Sequence, residues 1–114
     1  MINGQKLDLM MMELGHTESV AGTSYLRRAV AMYDEGMTRM TKELYPAIAA
    51  AVDSTPSRVE RCMRHSIQRA WGRGSFAAQC QYFGHTINPE TGVPTVGEYV
   101  ARMARLCRAA EGQE

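Results

Sequence analysis

Aromatic side chains are scarce in this chain of 114 residues, at 7%. Their scarcity beside nine Met and many Ala argues for packed helices over sheets, because Met is a flexible filler of helical cores. Net charge is nearly absent, at +1, so the total gives no reason to expect nucleic acid and only its distribution could. Cysteine is limited to Cys62, Cys80 and Cys107. An odd, widely spaced set with no C-x-x-C pair and no Cys/His cluster of zinc spacing excludes a disulfide framework and a zinc site. Reduced, mostly buried thiols in a cytoplasmic protein are expected. No apolar run approaches the roughly 18 residues of a membrane helix. The start has no signal-peptide pattern either, since Met10–Met12 is short and Glu13 interrupts it. Gly72-x-Gly74 ends a helix rather than opening one, so it is no phosphate loop. Asp8, Glu13, Asp34 and Glu35 have no nucleophile beside them and are read as helix-surface charges. His16 and His85 each follow a Gly and are read as capping or loop residues. These absences predict no enzyme, no cofactor, no metal and no membrane.

What is present fits one all-α domain over 1–114, with residues 1–5 flexible. Four Pro and ten Gly cut the chain into helical pieces. Leu7, Met10, Met11 and Leu14 recur at helical spacing from about Lys6, and Gly15 suits a left-handed stop. A second piece runs from about Gly22 to Glu35 and stops at Gly36. A third begins near Thr38 and carries Met40, Leu44 and Ile48. Pro46 must start or bend a turn there, so the regular helix is placed at 45–52. Asp53, Ser54 and Thr55 form a short polar turn. Thr55 is a natural N-cap and Pro56 a natural first residue for the next helix, 56–71. Ser75 caps a short helix ended by Gly84. His85 to Pro94 reads as the one long loop. Thr95 and Glu98 form a capping box for the last helix.

The 56–71 helix carries the chemistry. At about 100° per residue, with Arg58 at zero, Val59, Cys62, Met63, Ser66 and Ala70 fall between roughly 40° and 140°, and Ile67 near 180°. That is the buried face. Ser57, Arg61, Arg64, His65 and Gln68 gather beside Arg58 on the opposite face, with Glu60 and Arg69 at its borders. Runs of Arg on a helix are most often only a solvated face. Here the segment from Thr55 to Gly74 uses Arg five times and Lys never. Arg is the residue of planar, bidentate recognition. With one carboxylate in the segment, the arginines are not expected to be laced into i,i+4 pairs. A short apolar helix, a tight turn and a basic helix make the helix-turn-helix layout, whose second helix enters the major groove. First-turn residues then meet base edges and later ones meet phosphates. A protein module docking an acidic partner is the alternative. Single-stranded RNA is disfavoured because the exposed face lacks stacking aromatics. Trp71, at the border of the face, is read as core.

The blocks Tyr25-Leu26-Arg27-Arg28-Ala29-Val30, Leu44-Tyr45-Pro46, Ser57-Arg58-Val59-Glu60-Arg61-x-x-Arg64-His65, Ala70-Trp71-x-Arg73-Gly74 and Phe83-Gly84 resemble one family. It is the C-terminal DNA-binding effector domain of the sporulation initiation response regulators (stage 0 sporulation protein A), and the resemblance covers about Leu7 to Arg108. It implies a six-helix domain and duplex boxes of the TGTCGAA type. It implies base contacts by Arg58, Glu60 and Arg61. Ser57, Arg64, His65, Gln68 and Arg69 are then assigned to backbone or mixed contacts. It further implies head-to-tail pairing on tandem boxes near the last helix, and an RNA polymerase sigma-factor contact within about Ser75 to Ile87, including Phe83. The family's N-terminal receiver, with its phosphorylated Asp, is not in this sequence.

Overall fold

Asn3 accepts a hydrogen bond from the Lys6 amide at 3.1 Å, and this cap starts the first helix, α1 (Gly4–Leu14). Gly4 and Gln5, expected to be flexible, therefore stand in its first turn. In the computed structural model the backbone is described for residues 2–84 and 92–112, and side chains for 2–84 and 92–108. Gly15 ends α1 with φ 108°, the left-handed value that its sequence position predicted. Then come α2 (Ala21–Asp34), a π-helical turn (Met40–Leu44), α3 (Tyr45–Ala51), α4 (Pro56–Arg73), α5 (Phe76–Phe83) and α6 (Val96–Gly112). The fold is all-α, with six α-helices and no strand among the described residues.

The π turn resolves the difficulty posed by Pro46. Proline has no N–H to continue an α ladder, so the chain winds wider just before it. The Leu44 amide reaches back to the Arg39 carbonyl at 2.9 Å, and the Tyr45 amide to that of Met40. α3 then begins with Pro46 in its first turn, where no amide is missed.

α2 packs most extensively against α4 and α6, which also touch each other. Leu26, Ala29 and Val30 from α2 meet Val59, Met63 and Ile67 from α4 and Tyr99, Val100 and Met103 from α6 in one buried cluster. α1 closes this core with Leu7, Met10, Met11 and Leu14. α6 starts on the predicted capping box. The Thr95 amide donates to Glu98 at 2.9 Å, and the Glu98 amide donates to the Thr95 hydroxyl at 3.1 Å. Asp34 holds Arg108 across the α2–α6 join, with Nε donating at 2.6 Å. That contact lowers the Asp34 pKa. Arg27 bridges Asp8 and Glu18 on the surface, each at 2.7 Å.

The thiols are less buried than expected. Cys107 is buried, Cys62 half-buried and Cys80 exposed, and among the described residues none of the three forms a disulfide. Cys62 lies at the flank of α4's buried stripe rather than on its centre line, which is why the angular reading over-buries it. Within the His85 to Pro94 loop, residues 85–91, and with them His85, lie outside the described residues. Among the described residues no helix is long and apolar enough to cross a membrane.

Candidate nucleic-acid interface

The turn between α3 and α4 is tight because Asp53 takes a left-handed conformation, with φ 55°. Asp tolerates that region better than most residues. Behind it the Ser54 amide bonds the Ala49 carbonyl at 2.9 Å and closes the end of α3. Thr55 is extended, and its hydroxyl accepts from the Arg58 amide at 3.2 Å. Pro56 opens α4 where its missing N–H costs nothing. The sequence pointed to the cap and the proline; nothing in it singled out Asp53 as the left-handed residue.

From this start α4 turns two unlike faces. Val59, Met63, Ser66, Ile67 and Ala70 are buried. Ser57, Arg58, Arg61, Arg64, His65, Gln68 and Arg69 are all exposed, and Glu60 is half-buried at the border. The structure thus brings the sequence-selected residues together on one side of one helix. The faces follow from the 3.6-residue period, since the apolar stripe is held by α2, α3 and α6. One contact differs from expectation. Arg64 and Glu60 form an i,i+4 pair at 3.6 Å, so the single carboxylate of the segment is engaged by one of its arginines. Both side chains keep exposed surface, and such a pair is worth only about 0.3–0.5 kcal/mol, little enough for either partner to leave it for DNA.

Beside the first turns of α4 lies an open cleft of about 320 Å³, lined by Thr41, Tyr45, Pro56, Ser57, Glu60, Arg61 and Arg64. It joins the π turn and the start of α3 to the basic face. Three hydroxyls and two guanidinium groups border it, a donor set suited to phosphate oxygens. Burial, and then the nearby Glu60 charge, push the Tyr45 phenol pKa up, so Tyr45 keeps its proton and can donate. Sequence reasoning missed Thr41 and Tyr45, because they precede the basic segment and carry no charge.

Two other residues change place. Phe83 is 0% exposed, so it offers no surface to a sigma factor. Its ring stacks on Tyr99 at 5.4 Å and meets Trp71 edge-on at 5.3 Å. The residue's place is the core, because an apolar ring at the inner end of α5 gains most by leaving water. The exposed ring of that region is Phe76, at 79%. His16, read as a capping or loop residue, is buried between α4 and α6, with its two ring nitrogens facing Ser66 and Tyr99. Trp71 packs against Phe83 and Tyr99 as predicted for a core residue. Among the described residues no group of three His, Cys, Asp or Glu side chains is placed to hold a metal.

The family model for the sporulation initiation factor Spo0A C terminal matches residues 7–106, and the chain belongs to that family. This is the DNA-binding effector domain of a sporulation transcription factor and not a family of enzymes; its partner is double-stranded DNA.

Proposed function

We propose that, within this family, the chain reads short duplex boxes of the TGTCGAA type with α4 in the major groove. Arg58, Glu60 and Arg61 contact base edges from the first turns. Arg can bond guanine O6 and N7 together, and Glu can accept from cytosine N4. Ser57, Arg64, His65, Gln68 and Arg69 hold phosphates or make mixed contacts. The observation that carries this reading is the one-sided exposure of these residues on a Pro-capped helix behind a tight turn. The cleft lined by Thr41, Tyr45 and Ser57 supports it, because the first helix of such a unit crosses the phosphate backbone.

The full reading is a cytoplasmic regulator that binds tandem boxes as a head-to-tail pair. It contacts the sigma factor through the outward side of α5, where Phe76 is exposed. A gel-shift titration at several salt concentrations, on a duplex containing the box and on a scrambled one, tests it. Preference for the box, with affinity falling as salt rises, is the expected result. Equal affinity for both duplexes would sink sequence-specific reading and favour a module that docks an acidic protein.

A further inference from the structure

The buried stripe of α4 contains one polar side chain, Ser66. Its hydroxyl stands 2.9 Å from His16 Nδ1 and 3.2 Å from the Thr23 hydroxyl. His16 Nε2 stands 2.8 Å from the Tyr99 hydroxyl, and the Thr23 hydroxyl donates to the Thr17 carbonyl at 2.8 Å. Counting protons orders the whole set. A carbonyl only accepts, so Thr23 spends its single proton on Thr17. Thr23 must therefore accept from Ser66. Ser66, its proton spent, accepts from His16 Nδ1–H. His16 then has a lone pair at Nε2, which takes the Tyr99 proton. The result is a one-way chain of donors from α6, through the α1–α2 corner, to α4 and on to α2. It requires a neutral His16, and burial, aided by the nearby Arg27 charge, holds the His16 pKa down to about 4.

We propose that this chain fixes the rotation of α4 about its own axis, so that Ser66 and His16 are positioning residues for base reading. The inference rests on the function proposed above. The other groups in the stripe, Val59, Met63, Ile67 and Ala70, pack without directional preference, and Met adapts to its surroundings. Hydrogen bonds weaken steeply when bent, so Ser66 supplies the angular restraint that apolar packing lacks. The leverage is large. On a helix about 10–12 Å across with its side chains, a turn of roughly 20° moves the outer surface by about 2 Å. That displacement is enough to break a bidentate contact between Arg61 and a guanine.

Two measurements on the folded domain test this. The first reads the imidazole nitrogens of His16 by ¹⁵N NMR at neutral pH, without DNA. The Nδ1–H tautomer is expected; finding Nε2–H would overturn the proposal. The second compares the parent with Ser66→Ala on the box and scrambled duplexes, with thermal melting alongside. The ratio of the two affinities should fall about three- to tenfold, with scrambled-duplex binding unchanged. A role in stability alone would lower the melting temperature and leave the ratio intact, and that result overturns positioning. Tyr99→Phe, which removes one hydroxyl from the far end, should lower the ratio in the same direction and carries the test if Ser66→Ala fails to fold. A parent that does not discriminate sinks the proposed function. A discriminating parent whose variants discriminate equally sinks this inference alone.

Discussion

The two faces of α4 share one backbone and differ in everything that holds them. The outward face carries exposed arginines, and among the described residues their one ion pair within the protein is the long Glu60–Arg64 contact. The inward face is fixed by the apolar cluster and by a hydrogen-bonded serine. The difference shows how labour is divided in a DNA reader. On the function proposed here, specificity would be exercised by the exposed side chains and precision supplied by buried ones that never touch the partner.

The largest effect that would break this contrast is a charge on the inner face. Met63→Asp places a carboxylate where no exposed surface remains and should abolish cooperative melting at room temperature. Melting near the parent temperature would contradict the assignment of the faces. Acid is a gentler probe of the same face. His16 has a folded pKa of about 4, below its unfolded value near 6.5. A depressed histidine contributes nothing that varies above the unfolded pKa. Stability is lost as pH falls from about 6.5 to about 4, because only the unfolded chain takes up the proton. The slope is about 1.4 kcal/mol per pH unit, roughly 3 kcal/mol in all. Urea unfolding at pH 7 and at pH 4.5 should show this loss, and a variant without the imidazole should lose less. The lowered pKa of Asp34 acts below this window and leaves it readable.

On the outer face, Arg61→Ala should cost roughly 1–3 kcal/mol of discrimination at one base pair, measured on single-substitution duplexes. A uniform loss over all sequences would make Arg61 a phosphate contact. Thr55→Ala removes the cap that both faces share and should cost about 1 kcal/mol of stability by chemical unfolding. The smallest effect is expected for Arg64→Ala. It should weaken binding to every duplex alike and reduce the salt slope by about one. A selective loss at one base pair would move Arg64 into the base-reading group.

The sequence made the outer face legible because helical period alone separates it from the inner one. The α4 cap, the first-turn proline and the α6 capping box were legible for a like reason, since each depends on residues three or four apart. What stayed hidden depends on residues that are far apart. His16 and Tyr99 are separated by 83 positions, and His16 and Ser66 by 50. A histidine after a glycine looks like a loop residue until the fold brings a serine and a tyrosine to its ring. Phe83 misled in the opposite way. A resemblance placed it in a contact region, but burial of the ring against Tyr99 and Trp71 decides its place. The π turn was half legible, because Pro46 announced a break without saying how the chain would accommodate it.

Two glycine contacts stiffen the inner face further. Gly22 lies directly on the Cys62 carbonyl, and Gly74 directly on the Leu14 carbonyl, with no room for a Cβ at either place. In mechanical terms, a side chain between two helices is a cushion of rotatable bonds, whereas at these two points the nearest neighbour is a backbone carbonyl. The α1–α2 corner therefore bears on α4 backbone against backbone, once near its middle and once at its end. Close-packed matter of this kind transmits displacement rather than absorbing it. A displacement of that corner is therefore expected to carry over to α4, the helix proposed to read DNA.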